Sequence, residues 1–363
     1  MILTSLWKRG IIAALVIVLL ASVVGCTSKE SPTVGVENNE GQEDIVDNVV
    51  EETLEDEKIK ITDHLGREVI LERKAESLVS GYYITTSMLI ALGLKDKVVG
   101  IEAKADTRPI YSLAAPEFLD LPNVGTAKEF NLEGTISLEP DLVILPLRLK
   151  EAVESLEKLG INVIAVNPED MDLLKESLRM IGQATGTLDR AESLIAYYDE
   201  KIEEIEKLVA SKDRKRIYFG GNSDFLSTAT SKMYQNYMIE TAGGENVASD
   251  IDDTYWANIS YEQLIAYNPD IIIIAPGANY TKDDVLRDSR LAGINAIKEN
   301  QVYVMPGDFE QWDSPVPSSI LGTMWLTSLL HEEAYPYDKF VDDVADFYRD
   351  FYNITIDREL LNR

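Results

Sequence analysis

The stretch Ser260–Ala275, SYEQLIAYNPDIIIIA, decides the fold. It reads as a short helix carrying Glu262, a stop at Asn268-Pro269-Asp270, and then a continuous apolar β-branched run of the kind that fills a strand buried on both faces. The same grammar stands earlier in the chain as NLEGTISLEPDLVILP, Asn131–Pro146. Glu133 precedes Pro140 by seven residues, as Glu262 precedes Pro269. A helix-stop-strand unit used twice predicts two similar α/β lobes.

Working outward, both neighbourhoods keep the alternation. On the first side, SLVSG, KVVGI, DLVILP and NVIAVN are short β-branched runs, each followed by a helical segment such as Thr85–Leu92, Leu149–Leu159 or Leu174–Gly182. On the second, RIYFGG, ENVAS, DIIIIAP and QVYVMP alternate with helices near Tyr234–Ala242 and around Glu262, and helices over Pro317–Leu330 and Tyr337–Tyr352 finish the chain. Strands alternating with helices favour a parallel sheet covered on both faces. Between the halves, Thr187–Lys212 has no Gly or Pro, and Ala191, Leu194, Ile195, Tyr198, Ile202, Ile205 and Val209 form one apolar stripe. A helix of that length is a rod of about 39 Å, enough to span two domains. Ahead of the first lobe, KIKITDHLGREVILE alternates about Gly66 and reads as a β-hairpin. The expected fold class is α/β: two parallel-sheet lobes, 58–186 and 213–363, joined by one long helix, 187–212.

The N-terminus is of another kind. Lys8 and Arg9 precede the apolar run Ile11–Val24, which is short for a membrane span of roughly 20 residues and right for a signal-peptide core. It ends in VVGC, which resembles the lipobox of exported lipoproteins and makes Cys26, the chain's only cysteine, the expected lipidation site. Residues 1–26 are then a signal peptide and the protein is extracytoplasmic, anchored to the membrane; the alternative is an uncleaved anchor helix. Residues 27–57 read as an extended tether, since Glu37–Glu57 holds ten acidic and no basic side chains. Of the net charge of −29, residues 1–57 carry −8, leaving −21 on the remainder, so nucleic acid is excluded as a partner.

Five segments in order, ITDHLGREVIL, TTSMLIALGLKDKVVGIEA, NLEGTISLEPDLVI, ISYEQLIAYNPDIIIIA and VYVMPGDFEQWDSPVPSSILGTMWLTSLLH, resemble the substrate-binding proteins of iron-complex and cobalamin-type ABC importers over residues 58 to about 353. The resemblance implies a ligand held between the lobes and a monomer that delivers it to the importer's permease. It also implies that Glu133 and Glu262 form salt bridges with permease arginines. A carboxylate near a helix start is favoured by the helix dipole and can stay exposed to a basic partner; the alternative is that each only stabilises its own helix.

Ligands of open α/β folds lie beyond the carboxyl ends of the strands. That rule selects Tyr82, Tyr83, Lys104, Arg108 and Arg148 in the first lobe, and Asn222, Phe225, Tyr255, Trp256, Tyr280 and Trp312 in the second. Aromatic faces with a few cations suit a bulky anionic chelate. A ferric siderophore is the expected ligand, with corrinoid, haem, molybdate or tungstate as alternatives. Each aromatic also has a core reading, Trp325 included, and Arg108 could pair with Asp106. With only His64 and His331, both expected at the surface, no imidazole site for a bare transition metal can be built, and no cofactor is expected. The sequence lacks GxxxxGK and GxSxG motifs and has no thiol beyond Cys26, which argues against an enzyme; an adhesive lipoprotein would not need the rod and the paired glutamates.

Overall fold

The computed structural model describes residues Lys58–Leu361; the signal segment, Cys26 and the acidic tract lie outside the described residues. The described residues form twelve strands. The hairpin β1 (Ile59–Thr62) and β2 (Glu68–Leu71) pairs antiparallel. The Asp63 carboxylate accepts hydrogen bonds from the backbone N–H groups of Leu65 (3.0 Å), Arg67 (3.1 Å) and Ala165 (3.1 Å), closing the turn and tying it to the first lobe.

The first lobe's sheet contains β3 (Leu78–Ser80), β4 (Val98–Ile101), β5 (Leu142–Pro146) and β6 (Val163–Val166). All pair in parallel, in the order β4-β3-β5-β6. Every residue of β5 and β6 is buried, because helices cover both faces and leave no face for polar alternation.

The second lobe's sheet contains β7 (Lys215–Gly220), β8 (Ser227–Ala229), β9 (Gly244–Asn246), β10 (Trp256–Asn258), β11 (Ile271–Ile274) and β12 (Val302–Val304). Strand β7 is parallel to β9 and β11, and β11 to β12. The antiparallel pair β8 and β10 extends this sheet on one side, an addition that three-residue strands gave no periodicity to reveal.

The joining helix runs Leu188–Val209 and buries Ala191, Leu194, Ile195, Tyr198 and Ile205. It is fastened to both sides. Arg190 donates from Nε to the Ala91 carbonyl (2.6 Å) and from Nη2 to the Phe351 carbonyl (2.7 Å), and Tyr198 donates to the Pro317 carbonyl (2.6 Å). The helix Ile320–Leu330 is buried along nearly its whole length.

Neither histidine is a surface residue. His64 Nδ1 accepts from the Asn167 N–H (2.7 Å) and Nε2 meets the Glu176 carboxylate at 3.2 Å, so the ring pins the hairpin turn to the first lobe. His331 is buried where the Ile320–Leu330 helix ends, and desolvation pushes its pKa down. Among the described residues, no group of three or more His, Cys, Asp and Glu side chains could hold a metal ion, and no helix is long and apolar enough to cross a membrane.

Candidate functional site

The duplicated unit is duplicated in atomic detail. The helix Leu132–Ser137 starts where the Gly134 N–H donates to Asn131 Oδ1 (2.9 Å); the helix Tyr261–Tyr267 starts where the Gln263 N–H donates to Ser260 Oγ (3.2 Å). Each glutamate is the second residue of its helix, in the first turn, and each is exposed. Each helix gives way to a residue with left-handed backbone before the proline, Glu139 (φ 47°) and Asn268 (φ 43°). The aspartate after each proline then binds the start of the central strand beside it. Asp141 accepts from the Glu76 and Ser77 N–H groups (2.9 and 3.1 Å), and Asp270 from the Arg216 N–H (3.1 Å). The Glu262 N–H and the Ser260 hydroxyl hold the Glu262 carboxyl below its ordinary pKa.

The carboxyl ends of both sheets face one cleft, which has two compartments. One, of about 500 Å³, is lined by Tyr82, Tyr83, Arg148 and Glu169 from the first lobe and by Asn222, Gln235, Trp256 and Asp313 from the second. The other, of about 480 Å³, is lined by Arg108, Pro109 and Tyr111 facing Pro276, Met305 and Pro306. Tyr83 and Gln311 line both. Tyr83 donates a hydrogen bond across the cleft to Ser314 Oγ (3.3 Å).

Two cations line the cleft. The Arg148 guanidinium lies 4.8 Å from the Tyr82 ring centroid and that of Arg108 lies 4.0 Å from the Tyr83 centroid. The two rings meet edge to face at 5.3 Å. The result is a ladder of arginine, tyrosine, tyrosine and arginine along one wall, with one cation in each compartment. Among the described residues neither arginine is ion-paired, and the pairing of Arg108 with Asp106 is not formed. Burial pushes the Tyr82 and Tyr83 phenols up, so both remain neutral hydrogen-bond donors. Burial also raises the Glu169 carboxyl, against the pull of Arg148.

Tyr82, Tyr83, Arg108, Arg148, Asn222 and Trp256 are thus brought together. Gly220 and Gly221 make room on the second-lobe side: a Cβ on Gly221 would lie 3.0 Å from the Trp256 ring, and one on Gly220 2.7 Å from the Tyr280 hydroxyl. Five expected contact residues, Lys104, Phe225, Tyr255, Tyr280 and Trp312, line neither compartment. Trp312 is 1% exposed; its indole N–H donates to the Tyr348 hydroxyl (3.0 Å) and its ring meets Phe340, so it is core. Tyr280 donates to the Gly221 carbonyl (2.8 Å) and packs edge to face on Phe225, bracing the loop behind the cavity. Tyr255 is half exposed outside both compartments, because neighbours in extended chain point to opposite faces and Trp256 takes the cleft side. Lys104 is exposed at a left-handed turn, and Trp325 is core.

Glu169, Gln235, Asp313 and Gln311 are cleft residues that the sequence reading missed. Glu169 follows the carboxyl end of β6, so the strand-end rule applied once more would have selected it. Gln235 lies inside the helix Tyr234–Thr241, where nothing in the local pattern marks it.

The periplasmic binding protein family's consensus matches residues 78–309. The chain belongs to the periplasmic binding protein family. The molybdate-binding protein MolA of Haemophilus influenzae is 25% identical over 334 residues, covering 85% of this chain and 92% of that protein. An uncharacterized ABC transporter substrate-binding lipoprotein of Bacillus subtilis, YvrC, is 28% identical over 266 residues, covering 71% of this chain and 81% of its own. A periplasmic solute binding protein from Veillonella parvula superposes with a TM-score of 0.74 at 24% identity, covering 84% of this chain and 95% of that one. Members of the family are solute-binding proteins of importers, and the two-lobed fold is theirs.

Proposed function

We propose that this chain is the lipid-anchored solute-binding component of an ABC importer. It captures an anionic metal chelate of the ferric-siderophore type between its lobes and delivers it to the permease through Glu133 and Glu262. The arginine–tyrosine ladder carries the reading. Two cations, each backed by an aromatic face and neither ion-paired among the described residues, offer forked donors to carboxylate, catecholate or oxyanion oxygens. The boundaries 1–26, 27–57, 58–186, 187–212 and 213–363 belong to this reading, as do extracytoplasmic anchoring at Cys26 and a monomeric state; YvrC, described as a substrate-binding lipoprotein, supports the anchor.

A second reading, a molybdate- or tungstate-type oxyanion, is favoured by the likeness to MolA over most of both chains. Thermal unfolding with molybdate, tungstate and a ferric bis-catecholate separates the two. Saturation at a hundred times Kd adds about 2.7 kcal/mol, and only the true ligand class should do so. Arg148→Ala should abolish that gain while leaving the ligand-free melting temperature nearly unchanged; a variant that melts early yet still binds assigns Arg148 to the fold instead.

A further inference from the structure

The second-lobe lining of the compartment that holds Arg148 carries the reverse chemistry of the ladder. Asp313, 8% exposed, lines the Arg148 compartment, and its Oδ2 accepts from Gln235 Nε2 at 3.4 Å. Gln235, 3% exposed, lines the same compartment, and among the described residues its Oε1 has no hydrogen-bond partner. With the amide N–H turned to the carboxylate, both side chains leave acceptor capacity, and among the described residues no cation is paired with Asp313. Burial raises the Asp313 carboxyl to about 6, against the pull of its hydrogen bonds from Gln235 and from its own backbone N–H. Buried acceptors without donors cost free energy, and a ligand that brings donors recovers it. A bare oxyanion, all acceptor at neutral pH, satisfies Arg148 and leaves this wall unmet.

We propose that Asp313 and Gln235 form a donor-recognition subsite, which accepts hydrogen bonds from N–H or O–H groups on the side of the ligand remote from the anionic group held by Arg148. The inference rests on the reading of the cleft as the ligand site and narrows its ligand to a metal chelate whose chelator carries amine, amide or hydroxyl donors. Asp313 and Gln235 are thereby specificity-determining residues against acceptor-only anions.

Calorimetric titration of the whole protein with two probes tests this: nickel(II) bis-histidinate, which carries carboxylates and amine N–H donors, and molybdate, which carries none. Wild type should bind the nickel complex the more tightly. Asp313→Asn should weaken the nickel complex about tenfold or more and change molybdate by less than about threefold. If Asp313→Asn does not fold, Gln235→Met removes the free acceptor at similar volume and should shift the same ratio. Failure of wild type to bind the nickel complex, equal losses for both probes, or no change in either overturns the subsite. Arg148→Ala separates the two levels. If it weakens both probes while Asp313→Asn and Gln235→Met change neither, the cleft reading stands and the subsite falls; if it changes neither probe, the cleft reading itself falls.

Discussion

Asp313 shows how one side chain links stability to the site. Its folded pKa, about 6, lies above the ordinary aspartate value, so between roughly pH 4 and 6 the folded protein holds a proton that the unfolded chain has released. Stability from this group is therefore full at low pH and lost as pH rises through about 6. Asp313→Asn escapes that loss. Denaturant unfolding should find the variant gaining on wild type from pH 4 to 7, approaching about 3 kcal/mol, whereas a pH-independent difference would show an ordinary carboxylate. At this scale the sequence was legible only in part. Arg148 and Tyr82 could be selected because each follows a strand end. Trp312 could not be told from a cleft residue, because its burial depends on Tyr348 and Phe340, which arrive from a distant helix.

The helix-stop-strand units separate two kinds of residue. Asn131 and Ser260 cap their helices, and replacing either with Ala should cost about 1 kcal/mol of stability, measurable by chemical unfolding. Glu133 and Glu262 are exposed on the same helices. Their joint replacement by alanine should leave ligand affinity and melting temperature nearly intact while abolishing uptake in a transport assay; normal uptake would remove the docking role. The spacing of glutamate, left-handed stop, proline and aspartate was readable because every step of it is local. The antiparallel strands Ser227–Ala229 and Trp256–Asn258 were not, because three residues carry no period and their pairing is non-local.

The whole molecule is braced across its cleft. Arg190 binds carbonyls of both the Tyr83–Ala91 helix and the terminal segment, Tyr83 reaches Ser314, and Ser87 hydrogen-bonds to buried Glu310 and to Tyr352 (3.2 Å). These links and the continuous Leu188–Val209 helix oppose a wide hinge motion. Small-angle scattering with and without saturating ligand should show little change in radius of gyration; a large decrease would contradict the bracing.

What the sequence determined by itself was whatever follows from short-range pattern: continuous apolar runs that must be covered on both faces, the amphipathic stripe of the joining helix, and a helix-stop-strand unit that recurs in each lobe. Only the tertiary structure decided which strand-end residues share a wall. Arg148 and Asp313 stand in one compartment because two sheets, distant along the chain, present their carboxyl ends to the same space. No local preference encodes that meeting, since it depends on the packing of every helix between them.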